Sequence, residues 1–367
     1  MAKLCILAHP GGEHIADNPG YPKNVGFFGG LELDDIKNLN EGFMPWNTAP
    51  KHRRKFIKTN GDYLDEVGNL YTNAGISFWG EWEQESTFVK VDQLFGESPE
   101  RIHYPQCIKT DVTDFLIGGG EIDMDFVNEY AQAFINKQNT DPYVFGDRFY
   151  YSCCRQDNKR NEEKSFLHLN EGDLILFVSS WGKKEKKNRM CVLDTVFVVG
   201  GRVLPGKIRY QSELNTLRAR VSPQYMNGVL LPICFGNKES NNTALNVLYY
   251  GRMYDCTNKD EMFSFFPCRK DCSKNGFDRY VLYDEHRKKG IWYKERIDNV
   301  QGKPINSQQA SVTQKNDADL KAFWNCLKAD VLNSGYLLGV KAYEPPFKEK
   351  YIVENELLKC DDSRQTV

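Results

Sequence analysis

The stretch that decides the fold is Phe166-Leu-His-Leu-Asn-Glu-Gly-Asp-Leu-Ile-Leu-Phe-Val-Ser-Ser180, and a second apolar run, Cys191-Val-Leu-Asp-Thr-Val-Phe-Val-Val199, follows it. Glu171-Gly172-Asp173 predicts a turn, because glycine and aspartate favour turn conformations. The continuous apolar run Leu174–Val178 predicts a buried strand. A lysine-rich loop separates the two strands. This order of turn, strand, basic loop and strand is typical of a small β-barrel that holds a loop beside a ligand pocket.

Composition predicts a globular protein. The chain has 367 residues, enough for two domains, and 40% of them are apolar and 27% charged. Aromatic residues make up 13%, which favours β structure. The net charge of −2 means that nucleic-acid binding would need a local basic face. No apolar run reaches the ~20 residues of a membrane span, and Pro10 breaks the first strand too early for a signal peptide. We therefore expect a soluble cytoplasmic protein without a membrane partner.

Three segments are predicted along the chain. Residues 1–75 are rich in loops, residues 76–270 carry most of the predicted strands and form a barrel-like core domain, and residues 271–367 form an α+β elaboration. The expected fold is a β-rich α+β protein with an antiparallel barrel-like sheet, an irregular N-terminal addition and a C-terminal α+β addition.

The last segment contains an amphipathic helix. Its apolar residues recur at helical spacing: Leu320, Phe323, Trp324, Leu327 and Val331. Asn316 or Asp317 is the expected N-cap, and Gly335 the expected stop.

Two tryptophans and three glutamates lie close together. On a strand, Trp79, Glu81, Glu83 and Glu85 share one face, and Trp82 lies on the other. An indole stacks on a flat base with roughly 1–3 kcal/mol, and a carboxylate can accept a hydrogen bond from the amine of a base. These residues are consistent with a nucleobase pocket. For any single tryptophan, a core position beside solvated acids is the commoner explanation.

Asp147 and Arg148 stand at the mouth of an aromatic strand that contains Tyr151. Arginine can pair with a phosphate or stack on a base, and Tyr151 or Ser152 can donate a hydrogen bond to one. The alternative interpretation is a simple turn at Gly146-Asp147, followed by aromatic residues of the core.

Trp181 opens the basic loop between the two strands. The lysines of this loop are Lys183, Lys184, Lys186 and Lys187, and a second basic run at Lys51–Lys58 contains Arg53 and Arg54. If both runs lie on one face, they form a phosphate-contacting groove with Trp181 as a stacking platform. Otherwise they are solvated loops.

The cysteines indicate free thiols. There are 11, an odd number scattered over the chain, and several lie inside apolar strands. Cys256, Cys268, Cys272 and His286 could form a zinc site, but they lack the close Cys-x-x-Cys pair of most zinc sites. We expect no metal and no cofactor.

An enzymatic function remains open. None of the six histidines is adjacent to an obvious nucleophile and third partner, so the sequence does not support a serine or cysteine hydrolase triad. A metal-dependent hydrolase or nuclease could use dispersed carboxylates, and the candidates are Glu81, Glu83, Glu85, Asp147 and Asp173.

The run Leu169–Phe177, followed after a loop by Leu193–Val199, resembles the pocket strand and barrel return of PUA-like domains, the EVE, ASCH and YTH group. Gly75–Trp79 is similar to the tryptophan-bearing strand of EVE-type proteins. The resemblance covers at most residues 75–255, and about 90 residues separate Trp79 from the Gly-Asp turn, more than such a barrel needs. It implies binding of RNA or a modified base. The implied aromatic cage is Trp79, Trp82, Tyr151 and Trp181, with Asp147 as the acceptor for the base edge.

Three functions follow from these observations. The first is recognition of nucleic acid or a nucleotide, with a modified or flipped base in an aromatic pocket. The second is a metal-dependent hydrolase or nuclease that acts on nucleic acid or nucleotides. The third is a non-catalytic interaction protein whose aromatic residues all belong to the core.

Overall fold

The computed structural model describes residues 2–10, 41–44, 54–82, 86–90, 101–108, 140–152, 156, 166–181, 190–203, 215–217, 219–230, 247–270, 279–291 and 310–348. The strands of these residues are β1 (Ala2–Pro10), β2 (Glu41–Met44), β3 (Arg54–Leu64), β4 (Leu70–Glu81), β5 (Ser86–Lys90), β6 (Arg101–Pro105), β7 (Cys107–Ile108), β8 (Tyr150–Tyr151), β9 (Leu174–Trp181), β10 (Met190–Val203), β11 (Leu248–Gly251), β12 (Phe266–Lys270), β13 (Val281–Asp284), β14 (Ala310–Lys315), β15 (Leu337–Ala342) and β16 (Phe347–Lys348). The long helix is α1 (Asp317–Asn333). Short helical turns occupy Phe166–His168 and Pro223–Tyr225, and the second continues as a π-helical turn, Met226–Leu230.

The first sheet has the strand order β14-β1-β9-β10-β11-β8, and β13 also pairs with β10. Strands β1 and β9 run parallel, whereas the other pairs are antiparallel. Strand β9 is buried on both faces. Leu174, Leu176 and Val178 pack into one apolar cluster, and Ile175 and Phe177 pack into the other. This two-sided burial confirms the buried strand predicted at Leu174–Val178, because a strand covered on both faces needs a continuous apolar run.

The second sheet has the order β15-β12-β4-β3-β6-β5-β2, and β15 also pairs with β3. Its β3–β6 pair is parallel, and a separate parallel pair joins β16 to β7. The β-rich prediction is therefore confirmed, but the described strands form mixed sheets rather than the expected antiparallel barrel. The physical reason is the position of β1, which inserts parallel to β9 and pairs on its other side with β14.

Strands of all three predicted segments pair with one another. β1 comes from the first segment, β9 from the second and β14 from the third, and they are neighbours in one sheet. Within the part of the chain that the structure describes, no helix is both long and apolar enough to cross a membrane.

Helix α1 packs against β1 of the first sheet and β15 of the second. Leu320, Trp324, Leu327 and Val331 are buried in the same apolar cluster as the β9 residues Leu174, Leu176 and Val178. The spacing of these helix residues was the basis of the predicted helix, which the structure confirms. The indole Nε1 of Trp324 donates a hydrogen bond to the Phe263 carbonyl at 3.1 Å, so this side chain is buried with its polar atom satisfied.

Asn316 is the N-cap of α1, and its Oδ1 accepts a hydrogen bond from the Asp319 backbone N–H at 2.7 Å. We expect Asn316→Ala to lower the free energy of unfolding by about 1 kcal/mol, because the mutation leaves an N–H of the first turn without its acceptor. Urea denaturation measures the change. Asn316→Ser keeps an accepting oxygen and should stay close to the wild type; an equal loss in both variants would contradict a capping role.

Candidate functional site

A cleft of about 850 Å3 lies beside the outer end of the first sheet. Its walls come from the loop before β8, the ends of β10 and β11, the segment before the Pro223–Tyr225 turn, and the residues that follow β15. The charged side chains of the lining are Asp147, Arg148, Arg202, Arg220, Lys341 and Glu344, and the aromatic ones are Tyr150, Tyr250 and Tyr343.

Strand register gives two tyrosines a common face. Tyr150 pairs with Tyr250 across β8 and β11, and Tyr250 pairs with Gly201 across β11 and β10. Directly opposite residues of antiparallel strands point to the same side of a sheet, so both tyrosines lie on the cleft side. A Cβ atom at Gly201 would lie 2.1 Å from the Tyr250 hydroxyl. Glycine at this position therefore allows the Tyr250 ring to lie against β10.

Tyr150 connects the sheet to the neighbouring helical turn. Its ring stacks on the Tyr225 ring with centroids 4.5 Å apart and an interplanar angle of 20°. Burial raises the pKa of the Tyr150 hydroxyl, although the nearby Arg148 charge and the Ser222 N–H act in the opposite direction. Tyr150 therefore stays a neutral phenol near pH 7.

Glu344 also lines the cleft, and its carboxylate is half-buried. Its carboxylate accepts a hydrogen bond from the Ser222 side chain, and the same Ser222 hydroxyl caps the helical turn by accepting from the Tyr225 N–H at 3.2 Å. Burial raises the pKa of Glu344 in spite of the Ser222 hydrogen bond. Its Oε1 is buried against Gly146, at 2.8 Å from the position that a Cβ atom would take there. Gly146 has φ +83°, so this position favours glycine on two grounds.

Positive charge exceeds negative charge in the cleft. The lining holds four cationic side chains and two carboxylates. Lys341 Nζ lies 3.0 Å from Asp147 Oδ1, and the Arg148 guanidinium lies over the Tyr250 ring at 5.0 Å from its centroid. As far as the described residues go, the guanidinium groups of Arg148, Arg202 and Arg220 form no ion pair with a carboxylate. These three cations are thus available to an anionic ligand.

Comparison with known proteins assigns no family to the chain. No protein-family model, no curated protein and no solved structure matches the chain. The functional interpretation therefore depends on the chemistry of the cleft.

The structure brings Asp147 and Arg148, both predicted site residues, together in the cleft, and it buries Trp79, Trp82 and Tyr151 in the core. These three predicted aromatic residues do not line the cleft, because other side chains of the protein cover their rings. Among the described residues, Phe56 and Arg279 contact the Trp79 ring, Tyr143 and Phe145 contact that of Trp82, and the rings against Tyr151 include Phe166, Phe177, Phe197 and Tyr249.

The predicted basic runs fall mostly outside the described residues. Trp181 and Arg54 are the last residue of β9 and the first of β3, and the structure describes only their backbone. The following predicted residues lie outside the described ranges: Lys183, Lys184, Lys186, Lys187, Arg53, Glu83, Glu85 and Cys272. Their predicted contacts stay predictions.

Two of the predicted metal-binding carboxylates, Asp173 and Glu81, are buried. Asp173 accepts hydrogen bonds from the Lys3 N–H at 2.7 Å and the Asn170 N–H at 2.8 Å, so it joins β1 to the turn before β9. Burial raises the pKa of Asp173, and these two N–H donors partly offset that effect. Glu81 is buried on β4. Within the described ranges, no three His, Cys, Asp or Glu side chains form a group that could hold a metal ion.

The candidate zinc ligands also lie in different surroundings. Cys256 is exposed in the loop after β11, and Cys268 is fully buried in β12. Burial raises the pKa of the Cys268 thiol, which disfavours the thiolate that a metal ion requires. His286 is exposed after β13.

Sequence reasoning missed most of the cleft. Arg202, Arg220, Tyr250, Lys341 and Glu344 lie in four separate parts of the chain. One local signal of the cleft was Gly200-Gly201 beside Arg202. Paired glycines inside a strand indicate that another group approaches the backbone closely, as the Tyr250 ring does here.

Proposed function

We propose that the cleft binds the phosphate groups and the base of a nucleotide, either free or within single-stranded nucleic acid. One observation carries this proposal: Arg148, Arg202 and Arg220 lie around the cleft without a carboxylate partner among the described residues. Like charges held together repel one another, and a bound anion removes that repulsion. The planar guanidinium group also matches the geometry of phosphate oxygens.

We propose that the tyrosines of the cleft bind the base of the nucleotide. Tyr250 and Tyr343 are only partly buried, and each has a cationic side chain over its ring, Arg148 at 5.0 Å and Lys341 at 5.2 Å. Stacking of a base on an aromatic side chain contributes roughly 1–3 kcal/mol. The volume of about 850 Å3 falls in the range of about 300–1,000 Å3 that is usual for small-ligand pockets. A single nucleotide unit fits this size better than a duplex.

This proposal retains the first function inferred from sequence and moves its site. Arg148 keeps its proposed role as a phosphate-binding or base-stacking group, Asp147 stays beside the ligand as the partner of Lys341, and the tyrosines of the cleft take the role first given to Trp79 and Trp82. Membership of the PUA-like group, and the modified or flipped base that it implies, remain part of the proposal. The metal-dependent hydrolase has no support from a group of metal ligands in the described residues.

We expect Arg148→Ala to weaken nucleotide binding by roughly tenfold to a hundredfold, because a hydrogen bond to a charged group contributes about 1.5–3 kcal/mol. Isothermal titration calorimetry with ADP and fluorescence anisotropy with a labelled oligothymidylate measure the two ligand forms. Both affinities should fall as salt is added, since phosphate contacts release counterions.

Arg287→Ala is the matched control for charge. Arg287 is exposed, lies 3.8 Å from the Asp284 carboxylate and does not line the cleft. Its loss should leave both affinities near the wild-type values. If neither ligand binds the wild-type protein, or if Arg148→Ala and Arg287→Ala weaken binding equally, the cleft is not the nucleotide site.

A further inference from the structure

The cleft contains one cation that already has an anionic partner. Lys341 Nζ lies 3.0 Å from Asp147 Oδ1, and both residues line the cleft beside the three arginines. The Asp147 side chain is 93% exposed, and the Lys341 side chain is 30% exposed. The carboxylate therefore stands on the open side of the ammonium group, where a phosphate would approach it.

From this arrangement we infer that Asp147 competes with the ligand for Lys341, so that the cleft selects ligands with two or more phosphate charges over singly charged ones. The inference rests on the proposed nucleotide-binding function. A singly charged ligand is neutralised by the arginines and is repelled by Asp147. A diphosphate, or a run of phosphodiesters, offers a second phosphate group that can replace the carboxylate on Lys341 while the first contacts the arginines. Both sources share the same chemistry of closely spaced phosphate charges.

Replacement of the Asp147 carboxylate by a phosphate on Lys341 requires little movement of the protein. Gly146 N–H donates to the Ala342 carbonyl at 2.8 Å, and Phe145 forms a bridge with Ala342, so the backbone before Asp147 is fixed to the end of β15. Release of Lys341 then requires only a rotation of the exposed Asp147 side chain. An exposed ion pair contributes only about 0–1 kcal/mol, which a phosphate with several cationic contacts can exceed.

The Asp147→Asn variant tests this selectivity. Cyclic AMP carries one negative charge and ADP at least two, and they share the same base and ribose. We expect wild-type protein to prefer ADP, and Asp147→Asn to bind cyclic AMP about two- to fivefold more tightly, with a smaller gain for ADP. An oligothymidylate arm distinguishes phosphodiester runs from a free diphosphate. For that ligand the slope of log affinity against log salt should stay the same in Asp147→Asn, because a run of phosphodiesters already contacts Lys341 in the wild-type protein.

Two further variants complete the experiment. Glu261→Gln removes an exposed carboxylate that does not line the cleft, and it should leave all three affinities unchanged. In a Lys341→Ala background, the gain from Asp147→Asn should shrink, since the released cation is missing. If wild-type protein binds ADP but Asp147→Asn leaves the preference between ADP and cyclic AMP unchanged, the competitor role is wrong while the proposed function stands. If no nucleotide or oligonucleotide binds, both fail together.

Discussion

Replacement of Arg279 with alanine is expected to lower the free energy of unfolding by about 3–5 kcal/mol. Arg279 is only 2% exposed, and its guanidinium forms an ion pair with the buried Asp194 carboxylate. The same Nη2 donates to Ser179 Oγ at 2.6 Å, and Ser179 Oγ donates to Asp194 Oδ2 at 2.7 Å. Without the guanidinium, a carboxylate remains buried with its opposite charge removed, which is costly in a medium of low polarity.

The control is an ion pair of the same two chemical groups at the surface. Arg252 lies 2.9 Å from Glu171, and their side chains are 26% and 66% exposed. Arg252→Ala should therefore change stability by about 1 kcal/mol or less, because water solvates Glu171 and Glu261, the two exposed glutamates near the Arg252 guanidinium. Urea denaturation followed by circular dichroism compares the two variants under the same conditions.

A double variant distinguishes the loss of the ion pair from the burial of one unpaired charge. Arg279→Met with Asp194→Leu removes both charges of the buried pair, and such replacements are often neutral or stabilising. The double variant should recover most of the stability that Arg279→Ala loses. A loss in Arg279→Ala no larger than in Arg252→Ala would show that the buried network does not hold the sheets together.

The buried network also explains why Trp79 is not a surface for stacking ligands. Arg279 lies over the Trp79 ring at 5.3 Å from its centroid, and Phe56 meets the same ring edge-on at 5.5 Å. Trp79 belongs to β4 of the second sheet, whereas Asp194 and Ser179 belong to β10 and β9 of the first. The cation therefore links the two sheets through an aromatic contact on one side and a carboxylate on the other.

Local patterns in the sequence predicted the elements whose cause is local. The apolar run Leu174–Val178, the turn at Glu171-Gly172-Asp173 and the helical spacing of α1 all depend on residues within a few positions of one another. Asp147 and Arg148 were also accessible to this reasoning, because a polar pair after a turn is a local signal. These predictions concern single elements and say nothing about which strands become neighbours.

Pairing between distant strands could not be predicted from local patterns. β1 pairs with β9 and β14, and the registers join residues about 170 and 310 positions apart. The cleft depends on such pairings, since Tyr150, Tyr250 and Gly201 meet only through the register of β8, β11 and β10. The sequence suggested a pocket at Trp79 and Trp82, which are buried in the core, because local patterns do not show which strands pack together. A strand with tryptophans has the same composition whether its rings face a ligand or another sheet.

Trp82→Ala distinguishes these two environments, and we expect it to lower the free energy of unfolding by about 3–5 kcal/mol. Trp82 is fully buried, with ring centroids 5.0 Å from Phe145 and 6.3 Å from Tyr143. Removal of the indole leaves a cavity that these neighbours can fill only in part. Val67→Ala is the control, because Val67 is 75% exposed and its change should stay within about 0.5 kcal/mol.

Binding separates the core role of Trp82 from a role in a base pocket. Trp82 does not line the cleft, so Trp82→Ala protein that remains folded should bind ADP with wild-type affinity. Measurement at low temperature, where the variant is folded, keeps stability and affinity apart. The opposite pattern, an unchanged unfolding transition with binding weakened by roughly 1–3 kcal/mol, is what a stacking platform would give. That pattern would place the nucleotide site at Trp82, directly after β4, and remove the support for the arginine-lined cleft, because a single base cannot stack on Trp82 and Tyr250 at once.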